Sequence, residues 1–191
     1  MVDAEDLTTS QRAILFIVAK LGERFAIDKL YVQKAVFLIS KLAPDSIPIF
    51  DYEPNKMGMY SPDVNLTLQR EQDLGLIEGL KITTEGQGII KQIYNTPNIK
   101  QIEEAFTSIR DLGRFDILYL LYNLYPEFTV NSRISEQVES YKLQSLTIDV
   151  AELKEGHTTT HKTDKGNIIT IKKIKNVINI IDYSDGNHGE N

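Results

Sequence analysis

The sequence has no cysteine and no tryptophan among its 191 residues. Without cysteine it has no disulfide framework, no thiol nucleophile and no thiolate metal ligand, which fits a reducing compartment. No apolar run reaches the roughly 18 residues that a membrane-spanning helix needs, and acidic residues rather than a secretory leader follow Met1. These absences predict a cytoplasmic protein without a membrane segment.

A basic surplus is also lacking, since the formal net charge is −6. Residues 1–95 carry 10 Lys and Arg against 13 Asp and Glu, and residues 96–191 carry 11 against 14, so each half has a charge of −3. Nucleic-acid binders usually have a basic face, because neutralising phosphates supplies most of their non-specific affinity. Any DNA contact would therefore depend on a local patch.

The segment 61–93 predicts a helix, a glycine stop, a short β-hairpin and a second helix. Ser61 suits the N-cap of a helix at 62–74, and Gly75 supplies the left-handed residue that ends it. The next residues double back as a hairpin before Thr84 caps the second helix. A helix followed at once by a tight hairpin is typical of a winged helix-turn-helix. The expected buried face of the first helix is Val64, Leu68 and Leu74.

Two apolar helices are predicted before this segment. The first has Ile14, Ile17, Val18 and Leu21 on its buried face. The second runs from about Ile27 to Leu42, and its apolar face is so wide that only three residues must reach water, Gln33, Lys34 and Lys41. The long connection at 43–60 is rich in large apolar residues, which favours a loop packed on the core over a ligand-binding insert.

Four fragments of the chain resemble a known family: KLYVQKAVFLISKL, FDYEPNKMGMYSPDVNLTLQREQDLGLIEG, ITTEGQGIIKQI and LLYNLYPEFTVNSRI. Over about Thr8 to Ile134 the chain resembles the YwgA-like proteins, and it is more distantly similar to the Panacea domain of antitoxin and phage-associated proteins. The shared turn keeps Gly58, Tyr60 and Ser61. The resemblance implies a helical, winged-helix-like fold in antitoxin or regulatory proteins, and it implies no catalytic residues.

Two further helices are expected after residue 96. The first has an apolar face at clean helical spacing, formed by Ile99, Ile102, Phe106 and Ile109. The second, at 115–125, is apolar nearly all round, so it either packs in the core or forms part of a dimer interface through Tyr119, Tyr122 and Tyr125. A polar helix near 132–141 follows.

From residue 143 the pattern changes to strands. Residues 145–153 alternate, and 157–162 and 167–174 flank a turn. Residues 177–182 fit a helix or a strand, and their β-branched content favours the strand. The prediction is a mainly α protein with small β elements: a winged helix-turn-helix core at 1–95, a helical extension at 96–141, a β-rich module with a C-terminal hairpin at 142–183, and a disordered tail at 184–191.

Two groups of residues are candidates for nucleic-acid contacts. On the helix at 62–74 and its hairpin they are Asn65, Thr67, Gln69, Arg70 and Lys81. Asp63, Glu71 and Asp73 would repel phosphate there, and polar residues on an exposed helix are often simply solvated. In the β-rich module the candidates are Lys162, Lys165 and Lys172, with Lys173 and Lys175. Lysines on an edge strand also commonly protect against aggregation.

No enzyme motif is present, and we expect no metal or cofactor. His157 and His161 on one strand would be roughly 13 Å apart, too far for one ion, and the threonines between them disfavour a helix. A hydrolase or nuclease is therefore the least supported function. We expect a dimeric winged-helix regulator that binds double-stranded DNA. The alternative is an antitoxin-like module that binds a toxin-like protein and no DNA.

Overall fold

The structure is a computed structural model that describes residues 2–23, 27–48, 50–109, 112, 114–140, 158–162, 168–174 and 177–184. Within these residues the protein is mainly helical with small antiparallel sheets. The α-helices are α1 (Thr9–Gly22), α2 (Lys29–Leu42), α3 (Pro62–Asp73), α4 (Thr84–Ile93), α5 (Pro97–Ile109), α6 (Arg114–Leu124) and α7 (Ser135–Ser140). The strands are β1 (Glu53–Asn55), β2 (Gly58–Tyr60), β3 (Ile77–Glu78), β4 (Lys81–Ile82), β5 (Thr158–Lys162), β6 (Ile168–Ile174) and β7 (Val177–Ser184).

The core is built around α1 and α2. Thr8 caps α1 through a capping box, in which Gln11 N–H donates to the Thr8 hydroxyl at 3.2 Å and the Gln11 side chain accepts from Thr8 N–H at 3.0 Å. Asp28 caps α2 by accepting from Tyr31 N–H at 2.8 Å. Both predicted helices are confirmed. The four apolar residues that the spacing assigned to α5 are all buried in the same core.

The predicted order of helix, hairpin and helix is confirmed by α3, the β3–β4 strands and α4. The first helix, α3, ends in a Schellman motif. Gly75 has a φ of 71°, its N–H donates to the Gln72 carbonyl at 2.9 Å, and Leu76 N–H donates to the Glu71 carbonyl at 2.9 Å. The hairpin then pairs β3 with β4. The prediction that Thr84 caps α4 is wrong, because the Thr83 hydroxyl is the group that accepts from the Gly86 N–H, at 3.1 Å.

The segment 43–60 is partly structured, as the apolar content indicated, but it contains a hairpin that the sequence patterns did not predict. β1 pairs antiparallel with β2, and Pro54 stands opposite Met59. The turn between them closes at Gly58, which has a φ of 82°. Ile47, Phe50 and Met59 are buried, so the segment packs on the core.

The apolar helix α6 is a core helix. The Tyr125 ring, which follows it, stands edge-on to Phe37 of α2, with centroids 4.9 Å apart. Tyr122 and Tyr125 are both buried within the chain and Tyr119 is half-buried. The first two rings are therefore not available to a second copy of the protein.

The C-terminal strands form an antiparallel sheet in the order β5-β6-β7. Residues 177–184 are a strand rather than a helix, and β7 runs beside α2. The strand expected at 145–153 lies outside the described residues, as does nearly all of the tail. Among the helices that the structure describes, none is long and apolar enough to cross a membrane.

Candidate functional site

The outer face of α3 and the hairpin after it form one exposed surface. Ser61 caps α3 by accepting from Val64 N–H at 3.4 Å, and Val64 and Leu68 are buried, which fixes the helix on the core. The opposite side of the helix faces solvent. We call the exposed set the α3–hairpin surface: Asp63, Leu66, Gln69, Arg70, Asp73, Leu74, Glu78 and Lys81.

Three of the residues predicted to contact nucleic acid, Gln69, Arg70 and Lys81, lie on this surface. Asn65 is half-buried. The prediction that Thr67 contacts nucleic acid is wrong, because its side chain is only 7% exposed and its hydroxyl donates to the Asp63 carbonyl at 2.8 Å. α3 therefore offers fewer outward polar groups than the sequence indicated.

The predicted lysines of the β-rich module are only partly described. Lys162 pairs with Ile168 and Lys172 pairs with Thr158, so the two stand at opposite ends of the β5–β6 ladder. Four residues of strand separate such positions by roughly 13 Å. Lys165 lies outside the described residues, and so does His157.

The α3–hairpin surface has no excess of positive charge. Arg70 and Lys81 are its cations, and Asp63, Asp73 and Glu78 are its anions, which leaves a balance of −1. Glu78 is directly opposite Lys81 in the hairpin register. This balance disfavours a polyanionic ligand.

The same surface exposes apolar groups. Leu66 is 45% exposed, and Leu74, which was expected to be buried, is 40% exposed because it follows the last turn of α3. A groove of about 780 Å³ between the C-terminal half of α1 and the hairpin shares Glu78 and Lys81 with this surface, and its lining residues include none from α3. Val18, Leu80 and Ile82 are among its apolar lining residues.

Glu71 was expected on the outer face of α3, where its charge would repel phosphate. This prediction is wrong, because the Glu71 side chain is 0% exposed. Neither carboxyl oxygen accepts a hydrogen bond of good geometry, although the group lies beside the backbone of Leu15 in α1. Burial raises the pKa of Glu71 well above its usual value, and the Leu15 backbone acts in the opposite direction. The carboxyl group therefore favours its neutral form in the folded protein.

We expect Glu71 to make the protein less stable as the pH rises. Its folded pKa is above its unfolded value of 4.5, so its stabilising contribution is present below pH 4.5 and is lost as the pH rises through the folded pKa. Glu71→Leu should remove that loss. Urea unfolding at pH 5 and pH 8 measures it, with exposed Glu85→Leu as the control. An equal pH response in wild type and Glu71→Leu would contradict the expectation.

A buried polar junction, which the sequence interpretation missed, ties α2 to the start of α3. Gln33 and Lys34 were expected to reach water, but both are buried. The Gln33 amide donates to the Ser61 carbonyl at 2.9 Å and accepts from Ser61 N–H at 3.0 Å. Lys34 Nζ donates to the Met59 carbonyl, and burial lowers the pKa of Lys34 to about 7. The sequence did contain a signal for this junction, since the adjacent polar residues Gln33 and Lys34 lie between apolar residues in the middle of α2.

The junction continues to α6 and the loop after it. A Cβ atom at Gly58 would lie 2.8 Å from the Tyr122 ring, so only glycine fits against that ring. The Tyr122 and Ser132 hydroxyls are hydrogen-bonded at 2.7 Å, and Arg133 N–H donates to the Lys56 carbonyl at 2.8 Å. Fragments of the sequence that carry the family resemblance therefore meet in space.

The comparisons with known proteins assign no function. No protein-family model matches the chain, and no curated protein matches it. Among the described residues, no cluster of three or more His, Cys, Asp or Glu side chains could hold a metal ion.

Proposed function

We propose that the chain is a winged-helix protein whose α3–hairpin surface binds another protein. In this proposal α2 and α3 form the helix-turn-helix and the β3–β4 hairpin is the wing. The observation that carries the proposal is the combination of exposed Leu66 and Leu74, the adjoining apolar groove and the charge balance of −1.

Electrostatics favours a protein partner over DNA. A protein that docks a helix on DNA neutralises several phosphates with lysine and arginine, and this supplies most of its non-specific affinity. Here Arg70 lies on a helix with exposed Asp63 and Asp73, and Lys81 faces Glu78 across the hairpin. A DNA backbone would meet more carboxylates than cations.

The chemistry of the surface describes the partner. Interfaces bury an apolar centre inside a polar rim. Leu66 and Leu74, on either side of Arg70, and the groove provide the apolar contacts, and the carboxylates of Asp63, Asp73 and Glu78 provide most of the charge around them. The complementary partner presents apolar side chains bordered by lysine or arginine. The family resemblance implies an antitoxin-like role, and such a role requires a surface that binds another protein.

Nucleic-acid binding remains the second candidate, favoured by one observation. Gln69 and Arg70 are exposed on a helix that is followed directly by a hairpin carrying exposed Lys81. This is the arrangement in which a winged helix presents a recognition helix and a wing.

We expect Leu66→Asp to abolish co-purification of the partner and to lower the free energy of unfolding by only about 0.5 kcal/mol, because Leu66 is an exposed apolar side chain on α3 and aspartate has the lower helix propensity. The tagged full chain would be isolated from its own cells as wild type, as Leu66→Asp and as Val130→Asp. Val130 is also exposed but lies in the loop before α7. A stoichiometric protein should accompany wild type and Val130→Asp only.

Two results would contradict the proposal. The first is a partner that both variants retain equally. The second is duplex DNA that binds the wild-type chain with a steep salt dependence and is released by Arg70→Ala, which would favour the nucleic-acid candidate.

A further inference from the structure

A second concave site lies away from α3, where the β1–β2 turn meets the loop before α7. It is a depression of about 420 Å³ lined by Pro54, Asn55, Lys56, Asn131 and Arg133. Its volume lies within the roughly 300–1,000 Å³ range of small-molecule sites. The two segments that form it are more than 70 residues apart in the sequence, so the fold alone brings them together.

The backbone of this site is fixed from both sides. Arg133 N–H donates to the Lys56 carbonyl at 2.8 Å, and the Asn131 side-chain amide donates to the Pro54 carbonyl at 3.3 Å. Beneath the turn, Gly58 packs on the Tyr122 ring, whose hydroxyl is bonded to Ser132. The site is therefore organised before any ligand binds, which lowers the entropic cost of binding.

The polar groups of the site are mainly donors. Lys56 and Arg133 are both exposed, and neither has an acidic partner within 4 Å among the described residues. Asn55 Oδ1 already accepts from Lys56 N–H at 2.6 Å, so the Asn55 amide nitrogen is left to donate. No carboxylate is among the five lining residues. Ammonium, guanidinium and amide donors around one depression suit an anion.

The geometry points to a binding site for a phosphate group carried by a small molecule. A phosphate dianion matches the two cations, and the arginine fork can hold two of its oxygens at once. A long polyanion fits poorly, because exposed Glu53, Glu127 and Glu136 lie on the segments that flank the site. This inference does not depend on what the α3–hairpin surface binds.

The test is a titration of the full-length protein with inorganic phosphate, followed by ¹H–¹⁵N NMR at constant ionic strength and pH 7.5. We expect saturable shifts at the amides of residues 55–56 and 131–133. The double variant Lys56→Met/Arg133→Met should weaken the phosphate affinity at least tenfold. The control, Lys91→Met/Lys100→Met, removes two exposed lysines from α4 and α5 and should leave the affinity unchanged.

Further titrations distinguish the sources of the anion. A mononucleotide should shift the same amides, while acetate at equal concentration should not. Non-saturating shifts, equal loss of affinity in the control variant, or equal competition by acetate would overturn the inference. Tighter, salt-steep binding of a single-stranded oligonucleotide at these amides would overturn the small-molecule assignment in favour of a nucleic-acid backbone.

Discussion

Gly86→Ala is expected to lower the free energy of unfolding by about 3 kcal/mol, at the upper end of what overpacking usually costs. The added Cβ would lie 2.2 Å from the Leu76 carbonyl oxygen and 3.0 Å from Ile82 Cγ2. The first of these is a backbone atom, so α4 and the hairpin must move apart. Urea unfolding followed by circular dichroism measures the effect, since the chain has no tryptophan.

Gly88 provides the matched control on the same helix. A Cβ there would meet nothing within 4 Å. Gly88→Ala should therefore raise the free energy of unfolding by about 0.5–1 kcal/mol, through the better helix propensity of alanine. If the two variants changed the stability equally, α4 would not be packed against the hairpin through Gly86.

The contribution of Lys34 to the stability of the folded protein should increase as the pH rises above neutrality. Burial lowers the pKa of Lys34 to about 7 in the folded protein, against its ordinary value of 10.5. Between these values the unfolded chain binds the extra proton, so the Lys34 contribution to the free energy of unfolding should rise by about 2 kcal/mol from pH 7 to pH 9. Urea unfolding at each pH measures the rise.

Lys34→Met should abolish this rise, and it should also leave the Met59 carbonyl without its donor. Because Pro54, opposite Met59 in the hairpin, has no N–H, nothing across the strand pair can replace that donor. Lys29→Met, at the exposed first position of α2, should keep the wild-type pH response. If the free energy of unfolding changed between pH 7 and pH 9 by the same amount in Lys34→Met as in wild type, the buried ammonium would not be the source of the rise.

The sequence predicted those elements whose signals are local. Ser61 and Gly75 lie at helix ends, where capping depends on one or two residues, and each caps as expected. The apolar spacing of α5 likewise identified its buried face. The β1–β2 hairpin was missed because its strands have three residues each, too few for an alternating pattern.

The candidate sites were harder to predict, because their polar residues take roles that only tertiary contacts define. Gln33 and Glu71 are residue types that usually lie on the surface. In this fold Gln33 is hydrogen-bonded to the Ser61 backbone, and Glu71 is packed beside α1. Thr67 turns inward to bond to its own helix. The phosphate site joins Lys56 to Arg133, and nothing in either segment alone predicts the other.

The central claim, that the α3–hairpin surface binds a protein, is tested most directly by site-specific photo-crosslinking in the cells that make this chain. A benzophenone side chain would replace Leu66 in one variant and Val130 in the other. We expect one protein adduct of defined mass from position 66 and none of that mass from position 130. Nucleic acid crosslinked at position 66, or the same protein adduct from both positions, would contradict the claim.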